Sequence, residues 1–406
     1  LHSPYTLSLH DALPIFETPR PKIGLVLSGG AARGLAHIGV LKALEEQGIH
    51  IDAIAGTSMG AVIGGLYASG YKIDELEKLA LGIDWQQALS DAPPREDVPF
   101  RRKQDDRDFL VKQKLSIRDD GSLGLPLGVI QGQNLALLLE SMFAHSSNTR
   151  NFDKLPIPFR AVATDITTGE KVVFSKGHLP QVIRASMSIP AVFAPVELDG
   201  RLLVDGGMTD NIPLDVAREM GVDIAIVVDI GTPLRSRKQL ATVVDVLNQS
   251  ITLMTRHNSE EQLRALNPKD VLIQPPLAAY GVTDFGRAKD IIDAGYRATR
   301  ALDVRLAHLR PAEPIDPELV AARTPGERTP IITAISVEND SKVSDDVIRY
   351  YIRQTLGEPL NLGRLQVDMG TLYGLDYFEQ VQYRVVKKGH DKDRKSTRLN
   401  SSHMPH

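Results

Sequence analysis

Gly56-Thr57-Ser58-Met59-Gly60 follows the apolar run Ala53-Ile54-Ala55 and precedes a stretch of small residues at 61–69. A strand, a G-x-S-x-G turn and a helix in this order are the setting of a nucleophile elbow. Gly56 and Gly60 leave room for the sharp turn and for a substrate. Ser58 is then expected at the helix N-terminus, where free N–H groups and the helix dipole favour negative charge. Because the motif also arises by chance in glycine-rich chains, its interpretation depends on further signals.

A second glycine-rich turn, Ser28-Gly29-Gly30-Ala31-Ala32-Arg33-Gly34, lies between an apolar strand candidate at 23–27 and a helix candidate at 35–47. Its backbone N–H groups suit either the pyrophosphate of a dinucleotide or the oxyanion of ester cleavage. The dinucleotide motif needs glycine where Ala31 stands, and an acidic residue at the end of the second strand, where Ser58 lies instead. The two turns together favour an oxyanion hole.

A serine hydroxyl also needs a base to accept its proton. His37, His178 and His257 fall on helix candidates or in a loop, and not in a glycine-rich turn at a strand end. Asp205 does lie in such a turn, because Leu202-Leu203-Val204-Asp205-Gly206-Gly207 reads as a strand that ends in two glycines. A carboxylate held beside the serine in a desolvated site has a raised pKa and accepts a proton. An ordinary tight turn remains the alternative for this stretch.

The three motifs resemble the patatin-like phospholipase family, in which an oxyanion loop, a G-x-S-x-G nucleophile and a D-G-[GA] base occur in this order. The resemblance covers about residues 22–309. It includes the flanking text Arg33-Gly34-x-x-His37-Ile38-Gly39-Val40-Leu41 and Arg184-Ala185-Ser186-x-x-Ile189-Pro190, and Asn211-Ile212-Pro213 matches a stretch that shapes the family's site.

By resemblance, Ser58 is the nucleophile and Asp205 is the base of a Ser–Asp dyad. Gly206 and Gly207 complete the base motif. The N–H groups of Gly29, Gly30 and Ala31 form the oxyanion hole, with Arg33 nearby. Ala31 departs from the family's glycine pattern, but an alanine keeps the backbone N–H donor.

The resemblance implies a serine lipid-acyl hydrolase of the phospholipase A or lysophospholipase type that needs no metal or organic cofactor. Its substrate would be a phospholipid or lysophospholipid, and contact with a membrane surface is expected. Two alternatives stay open: a non-catalytic translocated or binding module that retains the fold, and an acyltransferase that uses the same site. A homo-oligomer is also left open.

The composition is that of a globular protein, with 42% hydrophobic and 24% charged residues among 406. The net charge of -4 argues against a nucleic-acid partner, and the absence of cysteine excludes disulfides, Cys–metal sites and thiol catalysis. Strand candidates at 159–164 and 223–229 alternate with helix candidates at 73–81, 214–220, 240–266 and 288–309. This order predicts an α/β fold, a mostly parallel sheet with helices on both faces and active-site turns at the C-terminal ends of its strands.

Residues 84–150 are irregular apart from a helix candidate at 133–144, whose large apolar residues suit either a core helix or a cap that touches acyl chains or a membrane. Arg101-Arg102-Lys103 is followed by three aspartates, so we interpret it as a solvated charge run.

A second, small α+β unit is expected after a Pro-rich linker at 311–330. Strand candidates at 331–337 and 378–386 enclose helix candidates at 344–356 and 362–373, and this order resembles a POTRA domain. The matching text includes Ile335-x-Val337-x-Asn339, Gly357-x-Pro359-Leu360-Asn361 and Leu372-Tyr373-x-x-x-x-Phe378. The resemblance implies a following outer-membrane barrel, missing here, and a secreted or surface-displayed protein of a Gram-negative bacterium.

The two ends resemble translated sequencing-adaptor read-through, and the first residues lack the basic and apolar regions of a signal peptide. The expected organisation is a foreign or disordered leader at 1–20, a patatin-like hydrolase domain at 21–310, the linker at 311–330, an incomplete POTRA-like domain at 331–390 and a foreign tail at 391–406.

Overall fold

The centre of the first unit is an eight-stranded mixed sheet. The computed structural model describes residues 20–91, 116–117, 123–124, 128–310, 330–375, 377–378, 380–386 and 400–402. The predicted leader up to residue 19, the linker up to residue 329 and the Arg101–Lys103 run therefore lie outside the described residues, as does most of the predicted tail. The sheet strands are β1 Ile23–Leu27, β2 Ala53–Thr57, β6 Phe159–Asp165, β7 Lys171–Phe174, β9 Val196–Leu198, β10 Arg201–Asp205, β11 Ile224–Val228 and β12 Val271–Ile273. Short strands outside it are β3 Ser116–Ile117, β4 Leu123–Gly124, β5 Gly128–Ile130 and β8 Ala191–Phe193.

Parallel strands form one half of the sheet and antiparallel strands the other. The order is β12–β11–β1–β2–β6–β10–β9, with β7 paired to β6. All pairings from β12 through to β6 are parallel, whereas β7, β10 and β9 pair antiparallel. The expectation of a mostly parallel α/β sheet is confirmed, and strand β10, which carries Asp205, belongs to its antiparallel part.

Helices cover both faces of the sheet. They are α1 Ala36–Glu46, α2 Met59–Ala68, α3 Ile73–Gly82, α4 Trp85–Ala88, α5 Gln133–Met142, α6 Leu179–Ser186, α7 Leu214–Glu219, α8 Val243–Arg264, α9 Ala288–Arg300, α10 Asp303–Leu306, α11 Asp345–Tyr351 and α12 Leu362–Gly374. On one face, Leu25, Leu27 and Ile54 pack with α1, α2 and α9. On the other, Val26 and Ala55 pack with α7 and the C-terminal end of α8. Among the described helices, none is both long and apolar enough to cross a bilayer.

The C-terminal unit has a small core in which α11 and α12 pack with β14 Gln380–Gln382. Two further strands, β13 Glu338–Asn339 and β15 Asn400–Ser402, form a three-stranded sheet with β14. The expected strand at 331–337 is wrong. Its first residues bond instead with the loop at 357–360, where Ile332 N–H donates to Glu358 O (3.0 Å) and Gly357 N–H to Ile332 O (2.8 Å). The third strand comes from the segment interpreted as a foreign tail, so the limits of this unit stay a prediction.

Helix α5 joins the two units. Its Leu137 packs into the apolar core of the C-terminal unit. Its Gln133 side chain accepts from Val381 N–H (3.0 Å) and donates to Val381 O, so it hydrogen-bonds both backbone groups of one residue in β14. The helix is thus a packed element, as the core-helix alternative predicts, and not a free cap.

Candidate active site

Two strands run toward each other and end at the same point of the sheet. Along one edge of β6, residues Phe159–Val162 pair with parallel β2, and the next residues pair with antiparallel β10. Thr57 lies opposite Val162, and Asp205 lies opposite Ala163. The C-terminal ends of β2 and β10 therefore meet head-on. Ser58, which directly follows β2, and Asp205, the last residue of β10, lie in the same small space.

At this meeting point Ser58 and Asp205 are hydrogen-bonded. The Ser58 hydroxyl donates to Asp205 Oδ2 over 2.7 Å, and both side chains are buried. The other carboxylate oxygen accepts the N–H of Gly207 at 2.8 Å. In the described part of the chain, no histidine hydrogen-bonds to either residue.

The elbow holds Ser58 in a strained conformation. Its φ of 53° and ψ of -124° are unfavourable for a residue with a side chain, and it caps the N-terminus of α2. The tight approach requires glycine on both sides: a Cβ on Gly56 would lie 2.6 Å from Gly60 O, and one on Gly60 would lie 2.2 Å from Leu27 O. The Ser58 N–H donates to Ser186 Oγ at 2.9 Å, and that hydroxyl in turn donates to Val162 O. Helix α6, which carries Ser186, thus fixes the elbow from the side opposite β1.

Burial sets the charge behaviour of Asp205. Desolvation raises its pKa to about 6, although the bonds from Ser58 and Gly207 oppose the rise. A carboxylate with a pKa near 6 is ionised at pH 7 and is a stronger base than an exposed aspartate. The pair therefore has the geometry and the basicity for proton transfer from the serine.

The glycine-rich loop lies directly against the serine. A Cβ on Gly29 would stand 3.0 Å from Ser58 Cβ, so only glycine fits there without a shift. Its N–H, however, already donates to Asn211 Oδ1 at 3.1 Å. Gly30 and Ala31 are the loop residues whose N–H groups have no acceptor within the described residues. Ala31 adopts φ 50°, a left-handed conformation that disfavours a side chain by about 1–2 kcal/mol.

Arg33 and His37 support the loop from within. Arg33 is buried, and its Nε and Nη1 have no partner among the described residues; burial lowers its pKa, and the charge of Asp229 opposes this. His37 Nε2 lies 2.8 Å from Ser28 O, and burial lowers its pKa to about 4. A neutral His37 that donates to this carbonyl fixes the start of the loop and is not positioned as the base.

Helix α8 holds the loop that follows Asp205, a contact that the sequence did not predict. Asn258 donates from Nδ2 to Gly207 O (2.9 Å), and its Oδ1 accepts Asn211 N–H (3.0 Å). Asn211 Nδ2 donates to Ser259 Oγ at 3.2 Å. The available signal was a polar stripe at helical spacing, Thr255, Asn258, Ser259 and Gln262, on a helix that otherwise reads as exposed.

A buried ion pair braces the same loop from the β6–β7 side. Asp210 accepts from Lys171 Nζ at 3.0 Å, and its backbone carbonyl accepts from Thr57 Oγ1 at 2.8 Å. Desolvation raises the pKa of Asp210 to about 7, and Lys171 opposes the rise. Lys171 also pairs with Asp215 on α7, so the loop is tied to the helix that follows it.

The family model of the patatin-like phospholipases matches residues 25–218, which include both members of the hydrogen-bonded pair. A POTRA model, described as surface antigen variable number repeat, matches residues 330–400.

Curated relatives include an uncharacterized NTE family protein of Mycobacterium tuberculosis, 34% identical over 219 residues, which are 54% of this chain and 52% of the relative. Patatin-like phospholipase domain-containing protein 7 of Rattus norvegicus is 30% identical over 68% of this chain and 20% of its own length. A lysophospholipase of Kluyveromyces lactis is 32% identical over 68% and 18%. The chain thus spans about half the length of the mycobacterial relative and about a fifth of the other two.

Among solved structures, VipD from Legionella pneumophila is similar with a TM-score of 0.38 and 20% identity, over 70% of this chain and 67% of VipD. The family match covers the elbow, the glycine-rich loop and the Asp-Gly-Gly turn that the fold brings together. The chain therefore carries a patatin-like phospholipase domain, followed by a POTRA-like domain in its C-terminal region.

Proposed function

We propose that this chain is a serine lipid-acyl hydrolase in which Ser58 is the nucleophile and Asp205 is the base. The observation that carries the proposal is the 2.7 Å hydrogen bond from the Ser58 hydroxyl to a buried carboxylate of raised pKa. The lysophospholipase name of one relative supports phospholipid or lysophospholipid as the substrate class.

In the proposed mechanism, Asp205 accepts the hydroxyl proton as Ser58 Oγ attacks the ester carbonyl carbon. The carbonyl oxygen becomes an oxyanion, which the N–H groups of Gly30 and Ala31 stabilise. Gly29 contributes space rather than a donor while Asn211 accepts its N–H. Protonated Asp205 then gives its proton to the leaving alcohol, and the acyl group stays on Ser58.

Water completes the cycle by the same route. Asp205 takes a proton from the water as it attacks the acyl-serine, and the acyl–oxygen bond breaks to release a carboxylic acid. The proton returns to Ser58 Oγ, which restores the pair. One carboxylate therefore acts as base and acid in turn.

The test is fatty-acid release from defined phospholipids and lysophospholipids by the full chain. We expect Ser58→Ala and Asp205→Asn each to lower the rate by about a thousandfold or more, because each removes a group that takes part in bond making. Ser147→Ala is the matched control, since the Ser147 hydroxyl is buried and without a partner among the described residues. A folded Ser58→Ala protein that keeps substantial activity would exclude the assignment, and transfer of the acyl group to an added alcohol in place of water would indicate an acyltransferase.

We also propose that the domain limits are 21–310 and 331–390 and that the protein is exported by a bacterium to its surface or beyond. The POTRA-like domain after the hydrolase domain supports this proposal. Protease treatment of intact cells would test the export, because a protein at the cell surface is cleaved and one inside the cell is protected.

A further inference from the structure

Helix α8 presents an apolar stripe to solvent. Val246, Leu247, Leu253 and Met254 are each between 46% and 53% exposed and fall within one side of three successive turns. The opposite side carries Asn248, Thr255 and Ser259, which are partly or fully buried. A surface helix ordinarily has the reverse arrangement, so this stripe needs a partner.

Positive charge flanks the stripe. The loop before α8 packs along the first turns of that helix. Arg235 of the loop pairs with Asp245, and the Arg235 N–H donates to Gln249 Oε1 at 3.0 Å. Arg237 and Lys238 project from that loop, are exposed and have no ion-pair partner among the described residues. Residues 234–254 hold three basic residues and one acidic residue, whereas the chain as a whole carries -4.

The stripe lies close to the site. Met254 precedes Asn258 by one turn, about 6 Å along the helix axis. Asn258 is bonded to the loop that follows Asp205. Whatever covers the stripe therefore comes within a helical turn of the residues that hold the base in place.

We propose that this stripe, with Arg237 and Lys238, is the surface by which the protein docks on an anionic phospholipid bilayer. Apolar side chains that enter the acyl region and basic side chains at the headgroups are the combination that binds a helix in the membrane interface. The inference rests on the proposed lipid hydrolysis for the nature of its occupant. It assigns bilayer contact to α8 rather than to α5, which the C-terminal unit covers.

The test uses the full chain with Ser58→Ala, so that lipid is not consumed, and sedimentation with vesicles of phosphatidylcholine alone or mixed equally with phosphatidylglycerol. We expect Val246→Ser with Leu253→Ser to weaken binding to the mixed vesicles about tenfold or more. Arg237→Gln with Lys238→Gln should weaken it about tenfold on mixed vesicles, with little effect on phosphatidylcholine alone. Val304→Ser, at a residue that is 91% exposed on α10, is the control and should bind as the parent does.

Each variant is also made with Ser58 intact and assayed on a short water-soluble ester, which needs no bilayer. Unchanged ester hydrolysis with lost vesicle binding supports the surface. Vesicle binding that does not change when the stripe is substituted contradicts the proposal. A stripe variant that converts a dimeric protein into a monomer and still binds vesicles also contradicts it, because the stripe would then be a dimer interface. If the unsubstituted protein does not hydrolyse the ester but still binds vesicles through the stripe, the proposed function is refuted and the docking surface is supported.

Discussion

Asp205 meets two requirements that conflict. As the proposed base it must be charged at neutral pH to accept a proton, yet it is buried and pairs with a hydroxyl and a backbone N–H rather than with a cation. Burial raises its pKa from 3.8 to about 6. Because one pKa unit corresponds to about 1.4 kcal/mol, keeping this group ionised destabilises the fold by about 3 kcal/mol.

Asp205→Asn should therefore stabilise the protein while it removes activity. A folded-state pKa above the unfolded value means that the wild-type protein loses stability as the pH rises through about 6. We expect the variant to exceed the wild type by about 1–3 kcal/mol at pH 8 and to lose that advantage between pH 6 and pH 4. Urea unfolding of both proteins at pH 4, 6 and 8 measures the difference. An advantage that does not change with pH would mean that the Asp205 charge is not its cause.

The sequence singled out Ser58 and Asp205 as candidates because each stands in a short motif whose glycines are needed for backbone reasons. It did not predict that Gly29 gives its N–H to Asn211, since the two residues are 182 positions apart. Nor did it predict the left-handed conformation of Ala31, because alanine is not the residue that signals such a position. The sequence therefore predicts where a local turn needs glycine, but it does not predict hydrogen-bond partners that are far apart along the chain.

Strand direction explains how the two site residues meet. The rule for parallel sheets places turns at the C-terminal ends of strands that all point the same way. Here β2 and β10 point at each other along one edge of β6, so the elbow and the Asp-Gly-Gly turn meet end to end. Strand identity follows from local apolar runs, but pairing direction depends on contacts between distant segments, which a single sequence does not reveal.

Helix α8 has two sides of different character that a hydrophobicity pattern does not separate. Its inward stripe is polar and supports the site, whereas part of its outward side is apolar. The helix candidate at 240–266 therefore predicted this helix but not its bonds to the loop after Asp205. The Asn258 side chain, with one bond to Gly207 O and one to Asn211 N–H, is the specific link.

Asn258→Ala should lower kcat on the soluble ester by about 10- to 100-fold with a smaller change in KM. The loss of two partly buried hydrogen bonds leaves the loop after Asp205 free to move, and a displacement of about 1 Å at the proposed base has an effect of this size. The accompanying loss of stability should be about 1–3 kcal/mol.

Arg256→Ala is the matched control on the same helix, because Arg256 is exposed and bonds only to Glu260 within the described residues. We expect it to keep kcat. Equal losses of kcat in both variants would point to a general disturbance of α8 rather than to the Asn258 link.

The two units of the molecule are in contact, which the Pro-rich linker between them does not predict. Leu137 and Gln133 on α5 engage the C-terminal unit, and Gln181 on α6 accepts a bond from Arg384 at 3.0 Å. Behind them lie Glu140 and His178, 3.4 Å apart. Burial raises the pKa of Glu140 to about 8 and lowers that of His178 to about 3, so both members of this pair are uncharged at pH 7.

A chain that ends at Arg310 should still fold and hydrolyse a soluble ester within about threefold of the full chain, because the sheet and the packing on both its faces lie before that residue. It should unfold a few degrees lower and self-associate, since Leu137 becomes exposed on α5.

Leu137→Ser should then have opposite effects in the truncated chain and in the full chain. In the truncated chain it should reduce self-association, whereas in the full chain it should cost about 2 kcal/mol or more by opening the C-terminal core. Thermal unfolding and light scattering of the four proteins measure both effects, with Val304→Ser as the exposed control. An inactive, unfolded truncation would show that the units form one cooperative core and that the boundary at 310 is misplaced.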